Sequence, residues 1–164
     1  MSFLTRRQLY GVIAVMCAAA MGYALYAQYV LELEPCPLCI FQRIGVIAVG
    51  SLALLAAIFN PQRLAAKLCS LLIAVAAVAG GSVSAWQVYL QHLPPEQVPA
   101  CGPGLDFMLE TLPMTQVLEK VFKGSGECAQ IDWTFLGQSM PFWVGAFLLL
   151  TLLLALYNGW RQTR

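Results

Sequence analysis

The chain has 164 residues, of which 60% are hydrophobic and only 10% charged, and its mean hydropathy is +0.73. Soluble domains carry roughly 25% charged residues, so an aqueous globular fold is excluded. Nine Lys and Arg against eight Asp and Glu leave a net charge of +1, without the basic excess a nucleic-acid-binding surface needs.

Four apolar stretches are long enough to cross about 30 Å of bilayer hydrocarbon at about 1.5 Å per residue. The first runs about Leu9 to Leu31, uncharged and with a single Gln28, and the second about Ile40 to Phe59, with Arg43 near its start. The third, about Leu68 to Leu90, and the fourth, about Pro141 to Trp160, are uncharged. Backbone polar groups in lipid must be satisfied within the segment, so these stretches are helices. The expected fold is an all-α membrane protein: a four-transmembrane-helix bundle forming a single domain over residues 1–164. Gly80 and Gly81 either permit close helix contact or are glycines a membrane helix tolerates. Arg6-Arg7 ahead of an apolar run and Ala18-Ala19-Ala20 imitates a cleavable signal, but the run continues to Leu31, which a cleaved signal does not require.

Charge sets the expected orientation. Arg6, Arg7, Arg63, Lys67, Arg161 and Arg164 lie at the termini and between spans two and three. All the acidic residues, Glu32, Glu34, Glu96, Asp106, Glu110, Glu119, Glu127 and Asp132, lie in two other connections, about residues 32–39 and 91–140. By the positive-inside tendency both termini are cytoplasmic and the two acidic loops face outward.

This topology sorts the six cysteines. Cys17 and Cys69 fall inside spans, where a lone thiol behaves as a small apolar side chain. Cys36, Cys39, Cys101 and Cys128 lie on the outward side, where disulfides persist if the compartment is oxidising. Four thiols permit three connectivities, and proximity along the chain favours Cys36–Cys39 with Cys101–Cys128.

The short pair reads Glu34-Pro35-Cys36-Pro37-Leu38-Cys39. The two prolines resist helix continuation, so the second helix is expected to begin at Leu38 or Cys39. Cys39 then sits at a helix N-terminus, which favours a thiolate. Arg43 follows at i+4 on the same face, a charge just inside the membrane and a functional candidate for that reason; snorkelling to lipid phosphate is the alternative. A zinc site needs four ligands, and the four outward cysteines with the single His92 do not exclude one by counting. A CxxC at a helix start in an oxidising compartment points more strongly to thiol–disulfide exchange.

The long loop opens with Pro- and Gly-rich backbone from Leu93 to Gly104 that carries Cys101 and is read as irregular and exposed. Met114, Val117, Leu118, Val121 and Phe122 then recur at helical spacing, a short amphipathic helix that lies on the membrane surface or packs on the tops of the spans. Lys123 to Cys128 reads as a flexible turn. Two outward cysteine pairs are more than four packed spans need for stability, so the pattern reads as a relay. Electrons would enter Cys101–Cys128, pass to Cys36–Cys39, and leave to a lipid-soluble acceptor such as a quinone. Haem-attachment, dinucleotide and iron–sulfur spacings are absent from the sequence, and no metal is expected; a flavin held by another architecture stays open.

Four stretches in order resemble the bacterial disulfide bond formation protein B (DsbB) family. They are Pro35-Cys36-Pro37-Leu38-Cys39-Ile40-Phe41-Gln42-Arg43, Ala100-Cys101-Gly102-Pro103-Gly104-Leu105-Asp106-Phe107, Gly126-Glu127-Cys128-Ala129 and Trp133-Thr134-Phe135-Leu136-Gly137-Gln138-Ser139-Met140-Pro141. The resemblance implies an inner-membrane protein-dithiol:quinone oxidoreductase that reoxidises the periplasmic thiol oxidase DsbA and reduces ubiquinone, or menaquinone without oxygen. On it, Cys101 is the sulfur that meets DsbA and Cys128 its partner, Cys36 exchanges with Cys128, and Cys39 contacts the quinone with Arg43 beside it. His92 is implied to lie near the quinone. Cys17 and Cys69 are outside the family pattern. The competing readings are a scaffold whose disulfides only tie down loops, a zinc-binding subunit, and a quinone-linked reductase of the vitamin K epoxide reductase type running the opposite way.

Overall fold

The computed structural model describes residues 5–97, 110, 113, 115–117, 126–131 and 133–160. Among these, four helices are long and apolar enough to cross a membrane: α1 (Arg6–Tyr29), α2 (Pro37–Phe59), α3 (Arg63–Gln91) and, after a short α4 (Gly126–Ala129), α5 (Met140–Trp160). The chain is a multi-pass membrane protein, as its composition requires.

Helix ends follow local chemistry more than the edges of the apolar runs. Thr5 caps α1: its side chain accepts from the Gln8 backbone N–H at 3.3 Å, while Gln8 Oε1 accepts from the Thr5 N–H at 2.8 Å. The expected start of α2 is corrected. Pro37 is inside the helix with Cys36 as N-cap, because a proline at the first helical position lacks only an N–H that would have no intrahelical partner anyway. Cys39 is therefore the third helical residue, and the first loop ends at Cys36. Asn60 closes α2 in the left-handed conformation, its N–H 3.0 Å from the Ala56 carbonyl, and Pro61 follows. α3 starts five residues before its apolar run because Arg63 and Lys67 are exposed there and a helix need not stop where the hydrocarbon does.

Helices α1 and α2, α2 and α3, and α3 and α5 pack in series, with the largest interface between α3 and α5, whereas α1 and α5 touch sparingly. The core joins Tyr10, Ile13, Val46, Val49, Ile73 and Leu148. Cys17 is buried within it and Cys69 packs against it. Close approach at Gly80 is observed: a Cβ there would meet Leu148 Cδ1 at 3.0 Å and Gly45 Cα at 3.3 Å. Gly81 is merely tolerated, since its Cβ would make ordinary contact with Leu148 at 4.0 Å. Where the start of α1 meets the end of α5, Asn158 Nδ2 donates to the Arg6 carbonyl at 3.2 Å, and Tyr10 Oη is 2.7 Å from Ser70 Oγ.

At the cysteine end, the described residues of the long loop include regular elements. Pro95–Gln97 forms a 3-10 turn. A two-residue hairpin pairs β1 (Thr134–Phe135) with β2 (Gln138–Ser139), turning through Leu136 and Gly137 at φ 52 and 78°. Ser139 Oγ donates to Gln91 Oε1 at 2.6 Å and Trp143 Nε1 to the Phe135 carbonyl at 3.1 Å, which fixes the hairpin to α3 and α5. Most of the expected amphipathic helix lies outside the described residues. Residues 115–117 are helical, and Val117 is buried with Leu38, Leu90 and Cys128, on the tops of the helices.

Candidate functional site

Cys36, Cys39 and Cys128 meet at one end of α2 and α3. Cys36 Sγ lies 3.1 Å from Cys39 Sγ, beyond the S–S bond length of about 2.05 Å, so the two are thiols in contact. Cys36 also hydrogen-bonds Cys128. Cys101 lies outside the described residues.

The reading of Cys128 as part of a flexible turn is corrected. It is 0% exposed, held in α4 and packed with Leu38, Leu90 and Val117. Gly124 to Gly126 suggests mobility when read locally, but apolar neighbours distant in sequence enclose the sulfur.

The residue that joins these sulfurs is Gln87 of α3, which the sequence reading missed. Its Nε2 donates to Cys36 Sγ at 3.2 Å, to Cys39 Sγ at 3.4 Å and to the Cys128 carbonyl at 3.5 Å. Its Oε1 accepts from Gln42 Nε2 at 2.6 Å and lies 3.7 Å from Cys39 Sγ. Both glutamines are buried. A signal was present: Gln28, Gln42 and Gln87 all lie near the cysteine end of their apolar helices, where an amide needs partners to offset its desolvation. A zinc ion needs lone-pair donors, whereas the group facing the two sulfurs of the CxxC here is an N–H.

Hydrogen bonds to Cys128 and Cys39, then burial, hold the Cys36 thiol far above the ordinary thiol range. Cys36 therefore keeps its proton and donates it toward Cys39. Cys39 sits in the first turn of α2, at the positive end of the helix dipole.

Arg43 is one turn deeper, but its guanidinium turns toward α1. Nη1 donates to Gln28 Oε1 and Nη2 to the Ala24 carbonyl at 3.2 Å. With no carboxylate in the spans, the cation is met by an amide oxygen and by the negative end of the α1 dipole. Cys39 and Arg43 thus share a site without sharing hydrogen-bond partners. His92 caps the end of α3, exposed, with Nδ1 2.8 Å from the Val88 carbonyl.

Cys36, Cys39 and Arg43 line one cavity of about 860 Å³ whose walls come mainly from α1, α2 and α5, with Gln87 and Gln91 of α3 and Ser139 of β2. One part of its wall is polar, with Gln28, Gln42, Gln87 and Gln91; another is apolar, with Met21, Val46, Val144 and Phe147. Trp133 and Trp143 also line it, and His92 does not. A flat molecule with polar oxygens and an apolar body suits both the volume and the division of the walls.

Comparison with known proteins agrees with the motifs. The family model described as disulfide bond formation protein DsbB matches residues 6–158. Among curated relatives named Disulfide bond formation protein B, one from Chromobacterium violaceum is 57% identical over 144 residues, covering 88% of this chain and 87% of its own. Another from Acinetobacter baumannii is 49% identical over 159 residues, 96% and 93% of the two chains. One from Marinobacter nauticus is 44% identical over 154 residues, 94% and 92%.

Proposed function

The chain belongs to the DsbB family of disulfide bond formation proteins, and on that footing we propose that it is a protein-dithiol:quinone oxidoreductase of the bacterial inner membrane. In this reading both termini are cytoplasmic and the redox loops periplasmic, and the partner is a DsbA-like thiol oxidase. The observation that carries it is the meeting of Cys36 and Cys39, which line a cavity with polar and apolar walls, with the buried Cys128 behind them.

The partner's dithiol reduces Cys101–Cys128, transferring two electrons and leaving the partner oxidised. Cys128 then attacks Cys36: a Cys128–Cys36 bond forms, the Cys36–Cys39 bond breaks, and Cys39 leaves as a thiolate. Cys101 attacks Cys128 in turn, restoring its own disulfide and releasing Cys36, so that both electrons reside on the inner pair. Thiol exchange is fast when the leaving sulfur is a stabilised anion, which suits Cys39 in the first turn of α2. A quinone, ubiquinone or menaquinone, supplies an acceptor for two electrons and two protons. Arg43 and Gln28 would face its oxygens, and Met21, Val46, Val144 and Phe147 its ring and tail.

The test is the loss of oxidised ubiquinone when reduced DsbA is added to the purified protein. Cys39→Ser and Cys101→Ser should each abolish it while membrane insertion stays normal. Unchanged turnover in either variant defeats the proposal.

A further inference from the structure

We propose that Gln87 is a catalytic hydrogen-bond donor shared by the sulfurs of the relay, and that Gln42 is the positioning residue that aims it. The role of Gln87 in exchange rests on the reading above; the hydrogen bonding does not.

Gln87 is 3% exposed near the end of a largely apolar helix, where burying an amide is costly unless every polar atom finds a partner. Its oxygen is taken by Gln42 at 2.6 Å, which leaves the NH₂ group facing Cys36, Cys39 and the Cys128 carbonyl at 3.2, 3.4 and 3.5 Å. Two hydrogens thus serve three acceptors, all belonging to the segments that must exchange. A purely structural amide would need only the Cys128 carbonyl. This one also spans both sulfurs of the CxxC, bridging α3 to the first turn of α2 and to α4.

Its neutrality is what makes it useful. During exchange the negative charge moves: Cys128 carries it into the attack, Cys39 carries it away as the Cys36–Cys39 bond breaks, and Cys36 carries it when Cys101 completes the cycle. A lysine or arginine at this place would bind the anion most tightly on the nearest sulfur and hold it there. An amide N–H between the two sulfurs of the CxxC strengthens its bond to whichever is anionic and exerts little field at longer range. Gln87 Oε1, 3.7 Å from Cys39 Sγ, also offers an acceptor when that sulfur is protonated, so one side chain serves both protonation states.

The experiment measures the dithiol–disulfide equilibrium of Cys36–Cys39 in the full-length protein in detergent, without quinone or DsbA. The protein is poised in dithiothreitol redox buffers, then alkylated and mapped by peptide mass. A donor to an anionic sulfur stabilises the reduced form, so Gln87→Leu should shift the equilibrium about tenfold toward the disulfide, a potential about 30 mV more negative. Gln87→Glu, measured at a pH where the buried carboxyl is ionised, should shift it further, because a carboxylate there repels the thiolate. Gln42→Leu keeps Gln87 but frees its orientation, and should shift it less in the same direction. A folded Gln87→Leu protein with the wild-type equilibrium overturns the proposal. If that variant does not fold, an unshifted Gln42→Leu or an unshifted Gln87→Glu overturns it. A role confined to packing would lower thermal stability and leave the potential in place. Wild-type protein that fails to reduce ubiquinone, with these shifts intact, would remove the acceptor reading and leave this one standing.

Discussion

A Cβ built on Gly45 would stand 2.9 Å from the Cα of Gly80, so α2 and α3 cross here backbone against backbone. Cys39 is six residues from this crossing along α2 and Gln87 seven along α3, about 9 to 10.5 Å at the helical rise. The contact fixes how near the Gln87 amide comes to the sulfurs, since neither side chain is long enough to recover a displaced helix.

Gly45→Val should therefore be costly, because what its side chain meets is backbone and cannot rotate away. A loss of about 1–3 kcal/mol is expected for such overpacking, read as a lowered thermal midpoint in detergent. Gly81→Ala, whose Cβ has only an ordinary contact, should stay within about 0.5 kcal/mol of the wild type. Equal midpoints for the two variants would mean that the crossing does not constrain the bundle.

Arg43 and Gln28 are expected to act together on the acceptor. Arg43→Ala should raise the KM for ubiquinone about tenfold or more, the scale of a hydrogen bond from a charged group, and leave the KM for reduced DsbA within about twofold. Gln28→Leu, which removes one support of the guanidinium, should give a smaller change in the same direction. Equal loss toward both substrates would assign Arg43 to the scaffold alone.

The reduced protein should lose stability as pH rises past the ordinary thiol range. Cys36 keeps its proton when folded because Cys128 and Cys39 hydrogen-bond it and burial disfavours the anion. Unfolded, it ionises near its usual value of about 8.5. Above that pH the native state holds a proton that the unfolded state has released, so stability falls by at most about 1.4 kcal/mol per pH unit for this group. Below it the contribution is fully present. Thermal midpoints of reduced wild type and Cys36→Ala between neutral pH and pH 10 should differ in slope; parallel curves would contradict the assignment.

Leu136 offers a simple gain. It sits at the hairpin tip at φ 52°, 78% exposed, in a region where a leucine backbone is strained. Leu136→Gly should stabilise the hairpin by up to about 1 kcal/mol. Protection of the Thr134–Ser139 backbone from hydrogen exchange should increase; decreased protection would show that the leucine side chain matters more than its backbone.

The helices and the paired cysteines were legible because both are one-dimensional signals. Apolar length declares a membrane span, and the spacing of Cys36 and Cys39 is local. Pro37 misled by one or two residues because a proline both breaks helices and begins them, and position alone decides which. Cys128 and Gln87 were harder for a different reason. Enclosure of the first depends on Leu38, Leu90 and Val117, and the meaning of the second depends on Gln42 across a helix interface. A glutamine in an apolar run states only that a partner must exist. The guanidinium of Arg43 illustrates the same limit, since i+4 spacing put it beside Cys39 while the long side chain was free to reach α1.

Two of the helices that wall the cavity, α1 and α5, touch each other only sparingly. A greasy molecule dissolved among the acyl chains could slip in sideways between them without ever crossing an aqueous phase. For such a visitor the governing quantity is its mole fraction in the bilayer, so diluting the vesicles into more buffer would leave the encounter rate alone, whereas adding empty lipid would slow it.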